Sequence, residues 1–307
     1  MNATERRALA RGLADEQGGV VSRRQLRAVG ITHDHVRNEV AAERWTTLGR
    51  QAVAVHGGPL PAQARAWAAL WEVGERIAVL DGVTSLSAAG MTGFDEATLH
   101  VSVRHTHDIP RLQGVRVHKV IRRLDDELIQ VGIPRTRPAV AAVRAAGWAV
   151  SDRQAALLLL MPVQQRLTTP DALLEASRRC LGRRRRGFIR GVVRDITLGV
   201  ESLGELDFAR LCRARRMPEP SRQVLRREPR GRMYLDVRWD RFDLVVEIDG
   251  MQHREGLAVS VDNLTRNAVV LGGDRVLRID LVGLRCHEDE FLAQVALGLA
   301  TACSLSR

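Results

Sequence analysis

The sequence predicts an α+β protein with several domains. Short amphipathic helices separated by glycines fill residues 1–58, and helices alternate with strand-like segments over 59–180. An α/β pattern built around an acidic hairpin occupies 201–307, and a dense run of arginines, interpreted as a basic junction, covers 181–200. A chain of 307 residues is long enough for two or three domains with sizeable cores.

The charge balance indicates an anionic partner. The formal net charge is +11 and the isoelectric point is near 11.0, so nucleic acid is the first candidate. The longest aliphatic run, residues 155–161, is too short to span a bilayer, and the charged N-terminus lacks the apolar segment of a signal peptide. The four cysteines lie far apart, unlike those of a zinc site or a disulfide framework. We therefore expect a cytoplasmic protein with no membrane partner.

The first 58 residues predict three capped helices. Thr4, Ser22 and Thr32 are the predicted N-caps, and glycines end the first two helices. Leu9 and Leu13 are expected to face the core from the first helix. The second and third helices are joined by a glycine-bearing turn, which is the helix-turn-helix arrangement.

A hairpin is predicted directly after the third helix. Residues 44–55 alternate between polar and apolar and turn at Gly49, so the whole segment is interpreted as a winged helix-turn-helix. In that fold the third helix enters the major groove of DNA. The side chains that it would present there are His33, His35, Arg37 and Asn38. A protein-docking role for the same fold is the alternative.

This segment resembles the N-terminal domain of AbiEi-like antitoxins of type IV toxin-antitoxin systems. The likeness rests on Gly19-Val-Val-Ser22, Gln25-Leu26, Gly30-Ile-Thr32 and Val36, and residues 81–90 of the middle region are similar to the same family. The resemblance implies DNA binding, with a cognate toxin or another protein as a further partner.

The middle region is interpreted as an α/β scaffold or interaction domain, because its residues indicate no chemistry. Its histidines fit no spacing typical of metal ligands, so we expect them to be hydrogen-bonded or at the surface. These histidines are His100, His105, His107 and His118.

The densest basic run is residues 178–194. A solvated junction between domains is its ordinary explanation. It precedes a cluster of carboxylates that would repel DNA, so its arginines are also expected to grip phosphates. The arginines at its centre are Arg183, Arg184, Arg185 and Arg186.

The C-terminal region centres on an acidic hairpin. In the strand at 243–249, Glu247 and Asp249 alternate with aliphatic residues that would face the core. A turn at 239–241 would bring Asp236 on the preceding strand to the same place. Neighbouring carboxylates repel each other unless a cation or a proton lies between them. Hard oxygen ligands suit Mg²⁺ or Mn²⁺, which also bind phosphate oxygens, so the pattern predicts a divalent-metal site acting on a phosphodiester.

Asp236, Glu247-Ile-Asp249-Gly250 and His253 resemble the active-site pattern of the PD-(D/E)XK nuclease superfamily, in the branch of Vsr-like endonucleases. The resemblance covers residues 203–307 and implies a restriction-endonuclease-like α/β core with a mixed sheet. It implies that Asp236 and Glu247 hold the metal, joined by Glu205 from a preceding helix. The residues that it implies in supporting positions are Gln223, Asp262 and Arg266.

The sequence departs from that pattern at one position. The lysine that the resemblance implies two residues after Glu247 is replaced by Asp249, and the only lysine of the chain is Lys119. His253 or Arg266 would then have to assist catalysis, with His253 as general acid or base.

Two functions are compatible with these features. The first is a magnesium-dependent DNA endonuclease whose N-terminal domain carries the C-terminal site to DNA. The second is a DNA-binding antitoxin or transcriptional regulator whose nuclease-like domain is inactive, because a fold can persist after its site has lost its chemistry.

Overall fold

The structure is a computed structural model and describes residues 1–180, 182, 184–198, 208–227, 233–249, 263–264, 267 and 276–305. The α+β class is confirmed. The chain forms two compact units, Met1–Ala145 and Ala146–Arg307. The predicted boundary at residue 58 lies inside the first unit.

The first unit combines two sheets with helices. Its elements in chain order are α1 Ala3–Ala14, β1 Val20–Ser22, α2 Arg23–Ala28, α3 His33–Ala41, β2 Thr46–Thr47, β3 Ala52–Ala54, α4 Ala62–Val73, β4 Val79–Leu80, α5 Gly82–Ala88, β5 Leu99–Arg104, β6 Val115–Val120, β7 Leu128–Ile129 and β8 Arg135–Thr136, and α6 Pro138–Trp148 runs across the boundary between the units.

Two of the three predicted helix caps are confirmed. The Ser22 side chain accepts from the backbone N–H of Gln25, and the Thr32 side chain accepts from the backbone N–H of His35. The prediction for the first helix was wrong, because Asn2 caps it through a hydrogen bond of 2.9 Å from the backbone N–H of Glu5. The buried face of α1 also differs from the prediction.

The inward face of α1 carries alanines. Ala10 and Ala14 are buried, whereas Leu9 is 40% exposed and Leu13 is only partly buried against the core. The expectation that Leu9 faces the core was therefore wrong. Small side chains four residues apart let α1 approach its neighbours closely.

The predicted hairpin is present. Strands β2 and β3 pair antiparallel, and β1 pairs with the other edge of β3, giving the sheet order β1-β3-β2. Gly49 in the turn has a φ of 112°, a conformation that favours glycine. The core beneath includes Leu26, Ile31, Val36 and Trp45.

Helix α4 packs on the same small sheet. Ala64, Ala68 and Trp71 contact a second cluster that contains Val20 and Ala54. Helix α4, predicted as part of a separate middle domain, thus shares a core with the first 58 residues.

A five-stranded sheet completes the first unit, in the order β6-β5-β4-β8-β7. The pairs β5–β6 and β4–β8 are parallel, and the others are antiparallel. Beside it lies a buried ion-pair network in which Arg144 binds Asp81 at 2.9 Å and Glu127 at 2.6 Å. Asp81 also accepts from Thr136 Oγ1 and from the backbone N–H of Gly82. Each carboxylate is therefore paired with a cation, as buried charges require.

The elements of the second unit in chain order are α7 Asp152–Gln164, α8 Pro170–Arg179, α9 Arg186–Leu198, α10 Phe208–Ala214, β9 Arg222–Arg227, β10 Met233–Trp239, β11 Leu244–Asp249, β12 Val276–Asp280, α11 Leu281–Cys286 and α12 Glu288–Leu305. No helix of the described residues is long and apolar enough to cross a membrane.

The segment predicted as a basic junction contains a packed helix. Helix α9 buries Ile189, Val192, Val193 and Ile196, and it packs against α7, α8 and α11. Its apolar side chains recur at a spacing of three and four residues, which is typical of a helix with one buried face. The arginine run concealed this pattern in the sequence.

The C-terminal sheet has the order β12-β11-β10-β9 and is mixed. Strands β9, β10 and β11 pair antiparallel, whereas β11 and β12 run parallel. One face is covered by α10, α11 and α12, and the cluster there includes Phe208, Trp239, Leu284 and Phe291. The other face carries the polar side chains described below.

The Arg144 network yields a stability prediction. Replacing Arg144 by Met would leave Asp81 and Glu127 buried without their cation, so we expect the free energy of unfolding to fall by about 3–5 kcal/mol. The matched control is Arg122→Met at an exposed position, which should cost less than about 0.5 kcal/mol. Urea denaturation measures both. A loss of under 1 kcal/mol in Arg144→Met would show that the network does not hold the unit together.

Candidate active site

Asp236 and Glu247 lie directly opposite each other. They are partners in the antiparallel register of β10 and β11, so their side chains are on the same face of the sheet. The turn Asp240–Phe242 sets this register, and Asp243 adopts a left-handed conformation with φ 46°, which aspartate tolerates. The predicted meeting of these two acids is confirmed.

The predicted alternation along β11 is also confirmed. Leu244, Val246 and Ile248 are buried in the core, whereas Glu247 and Asp249 are partly exposed on the opposite face. The side chain of Glu247 is 21% exposed and that of Asp236 is 9% exposed. Both carboxylates are therefore largely withdrawn from water, where charge interactions are stronger than at an open surface.

Two arginines lie beside the acid pair. Arg238 Nε is 3.4 Å from Asp236 Oδ1, and Arg278 Nε is 3.4 Å from Glu247 Oε2. Arg238 is two residues after Asp236 on β10, and Arg278 pairs with Glu247 in the parallel register of β11 and β12. Each guanidinium offsets part of the repulsion between the carboxylates. Sequence reasoning gave neither residue a role.

Asn267 fixes the position of Arg278. Its side chain donates to the backbone O of Arg278 and accepts from the backbone N of the same residue, both at 2.8 Å. It also donates to Gln294 Oε1 on α12 at 3.0 Å. The buried side-chain amide of Asn267 thus holds β12 against α12. These hydrogen bonds fix the backbone position of Arg278.

A second acidic position follows on the same face. Asp249 pairs with Asp280 in the parallel register and with Tyr234 in the antiparallel one. Asp280 ends β12 and caps α11, because its Oδ1 accepts from the backbone N–H of Gly283 at 2.6 Å. The site face therefore extends from the acid pair toward the start of α11.

Gln223, predicted as a supporting residue, lies on the other face. It pairs with Val237, a core residue, and its Oε1 accepts from the backbone N–H of Phe208 at 3.2 Å. This hydrogen bond supports the first turn of α10.

Several predicted site residues lie outside the described residues. They are Arg183, Glu205, His253, Asp262 and Arg266.

The acid pair offers oxygen ligands to a divalent cation. Among the ranges that the structure describes, no group of three or more His, Cys, Asp or Glu side chains is arranged to hold a metal. Asp236 and Glu247 nevertheless provide two facing carboxylates, and Mg²⁺ is usually held by one or two carboxylates with waters and phosphate oxygens. The donor set fits a hard cation that shares its coordination with substrate.

Three of the four side chains that the sequence predicted on the outer face of α3 are exposed. Arg37, His33 and Asn38 are exposed, and Arg37 forms an ion pair of 3.1 Å with Asp34. His35 is half-buried, and its Nδ1 accepts from the backbone N–H of Thr32 at 3.2 Å in the N-terminal cap. His35 therefore orders the start of the helix as part of the capping box.

The central arginines of the basic run also differ in their exposure. Arg184 and Arg186 are exposed, but Arg185 binds Asp152 and donates to the backbone O of Ala149, both at 2.6 Å. The prediction that Arg185 faces DNA is not supported, because its guanidinium is used to tie the start of α9 to α7.

Two of the four middle-region histidines form a hydrogen-bonded chain. His118 Nε2 is 3.3 Å from His100 Nδ1, and His100 Nε2 is 3.2 Å from Glu96 Oε1. Burial lowers the pKa of His118 to about 3, with further lowering from His100 and Arg116. Burial also lowers the pKa of His100, although Glu96 opposes the shift. The expectation of hydrogen-bonded histidines is confirmed for this pair.

The hydrogen-bonded pair of His118 and His100 predicts a loss of stability in acid. Unfolded histidine has a pKa near 6.5, so between about pH 3 and 6.5 the unfolded state binds a proton that folded His118 does not. Stability is then fully present above pH 6.5 and falls as the pH is lowered. We expect the free energy of unfolding to fall by roughly 2 kcal/mol from pH 6.5 to 4.5, and His118→Gln to reduce that loss. Denaturation at several pH values measures it, and an identical pH dependence in both proteins would contradict the assignment.

Comparison of the sequence with protein-family models and with curated proteins finds no match in either case.

Proposed function

We propose that this chain is a DNA-binding protein whose C-terminal region hydrolyses DNA phosphodiesters with the help of a divalent cation. The observation that carries the proposal is the direct pairing of Asp236 with Glu247 on the polar face of the mixed sheet. A mixed α/β sheet with facing carboxylates is what the resemblance to Vsr-like PD-(D/E)XK endonucleases implies. The N-terminal resemblance to AbiEi-like antitoxins adds a DNA-binding winged helix.

The residues of the acid pair have separable roles in this proposal. Asp236 and Glu247 would hold Mg²⁺ or Mn²⁺, with Glu205 joining them as the resemblance implies. A cation held there would supply Lewis acidity toward the phosphate and would make water more acidic. Asp249, next on the same face as Glu247, accepts a hydrogen bond from water and orients it. His253 protonates the leaving oxygen.

The missing lysine has a replacement in this account. Arg278 and Arg238 supply fixed positive charge beside the carboxylates, where negative charge grows on the phosphate as the bond breaks. A guanidinium group donates hydrogen bonds in a planar fork and accepts none, so the pair acts through electrostatics and hydrogen bonding.

DNA recognition is assigned to α3 in the first unit. Its exposed Arg37, His33 and Asn38 would meet the major groove, as the third helix of a winged helix-turn-helix does. The net charge of +11 supports binding to a polyanion.

The second candidate function is a DNA-binding antitoxin or regulator with an inactive nuclease-like domain. The same two arginines favour it, because they compensate the charge of Asp236 and Glu247 without any metal. In this account the polar face is a self-neutralised surface that binds nucleic acid or a protein partner such as a toxin.

Nicking of supercoiled plasmid tests the metal site. We expect wild-type protein to nick DNA with Mg²⁺ or Mn²⁺ and Glu247→Gln to lose about 100-fold or more in rate, because the metal contributes several kcal/mol of transition-state stabilisation. The matched control is Asp243→Asn, an exposed acid of the same hairpin that asparagine can replace in its left-handed conformation. It should keep its activity. Absence of nicking by wild-type protein with either cation would favour the second candidate.

The stability of Arg278 variants with and without Mn²⁺ distinguishes the two candidate functions. In EDTA, Arg278→Met leaves Glu247 without its nearby cation, so we expect a loss of up to about 1 kcal/mol in unfolding free energy at this half-exposed position. If the site binds metal, Mn²⁺ should restore that loss and stabilise Arg278→Met more than wild type. Arg278→Lys serves as the charge-retaining control. Thermal shifts that do not depend on Mn²⁺ in any of the three proteins would remove the cation from this proposal.

A further inference from the structure

We infer that the solvent face of α9 binds the sugar-phosphate backbone of the DNA that the acid pair would cut; this inference rests on the proposed function. The contact residues are Arg186 and Arg190, and Arg194 continues the same stripe. Arg190 and Arg194 lie in the basic run 178–194 but beyond its four central arginines at 183–186.

The three arginines form one stripe. They are spaced by four residues, and each is exposed. In an α-helix such residues lie on one face about 6 Å apart along the axis, so the stripe is about 12 Å long. Every exposed side chain of the described part of α9 belongs to this stripe, since the remaining exposed position is Gly187.

The stripe carries charge of one sign. Asp195 is the one acidic residue in the sequence of α9, and it is fully buried in an ion pair with Arg285. By contrast, the exposed positions of the neighbouring helix α8 include Asp171, Glu175 and Arg178, which are of mixed sign. A purely cationic face on a packed helix matches a polyanion, and arginine in particular binds phosphate with two parallel hydrogen bonds.

The Asp195–Arg285 ion pair also connects the stripe to the active-site sheet. Arg285 Nη2 donates to Asp195 Oδ1 at 3.2 Å, and Arg285 belongs to α11, which begins immediately after β12. A side chain at Gly191 would begin 2.8 Å from Arg285 Nη1, so glycine leaves room for this contact. Strand β12 carries Arg278 beside Glu247. The stripe and the acid pair therefore belong to elements that pack together. This arrangement would hold a DNA strand in place while it is cut.

Nucleic acid is favoured over a membrane surface as the partner. A helix that binds lipid headgroups inserts an apolar face into the bilayer. The apolar face of α9 is already used for packing, through Ile189, Val192, Val193 and Ile196. The exposed side chains of its described part are arginines.

The test is the salt dependence of DNA binding by the full chain. Affinity for a duplex of random sequence is measured in EDTA, which prevents cutting, over a range of NaCl concentrations. The slope of log K against log salt falls by about 0.9 for each phosphate that the protein no longer neutralises. Arg186→Ala/Arg190→Ala should therefore reduce the slope by about 1.8, whereas Arg186→Lys/Arg190→Lys should keep it near the wild-type value.

The matched control is Arg153→Ala/Arg213→Ala, which removes two exposed arginines from α7 and α10 of the same unit. Its slope should equal that of wild type. Thermal melting of all variants verifies that they fold. Equal slopes for the α9 pair and the control pair would overturn the inference, as would an α9 variant that loses binding to phosphatidylserine vesicles but not to DNA.

The outcome is independent of catalysis. If wild-type protein binds DNA through α9 but never nicks plasmid with Mg²⁺ or Mn²⁺, the proposed hydrolysis of DNA is overturned. The proposal that α9 binds DNA is then supported. If wild-type protein nicks plasmid and the α9 variants bind and nick as it does, the proposal that α9 binds DNA is overturned. The proposed hydrolysis of DNA is then unaffected. Absence of salt-dependent binding by wild-type protein would overturn both the stripe and the proposed DNA binding.

Discussion

The register of the hairpin formed by β10 and β11 is the constraint on which the candidate site depends. Successive side chains of a strand point to opposite faces, so a slip of one residue would move Asp236 into the core and expose its apolar neighbours. Leu235, Val237, Leu244 and Val246 are all buried, which makes such a slip very unfavourable. The core thus selects the one register in which Asp236 meets Glu247.

The same polar face balances its charges locally. Asp236 and Glu247 each have an arginine at 3.4 Å, and Asn267 fixes the strand that carries one of those arginines. Such a face can exist before any cation binds. A divalent ion would then compete with guanidinium groups for the carboxylates, so metal affinity and the position of the arginines are linked. This is a physical reason to study Arg278 and Glu247 together.

Ion pairs made by buried carboxylates organise both units. In the first unit Arg144 joins Asp81 and Glu127, and in the second Arg285 joins Asp195. A buried pair is weak evidence for stability, because removing the charges from water is costly. It does select one arrangement of the helices and strands that carry it, since any other packing leaves a buried charge without a partner. In the second unit that arrangement links α9 to the strand beside the acid pair.

The sequence by itself determined the features that depend on near neighbours. The caps at Ser22 and Thr32, the alternation along β11 and the facing of Asp236 and Glu247 all follow from residues at most a short turn apart. Only the tertiary structure brought in Arg278, Asn267 and Asp280, because a parallel strand joins its neighbour through a long crossover and its register cannot be read from local spacing. It likewise showed that α9 is a packed helix, since a buried face acquires meaning only against the partner that covers it, here partly through Asp195 and Arg285. The physical difference is one of range: backbone geometry fixes local patterns, whereas packing decides which distant side chains meet.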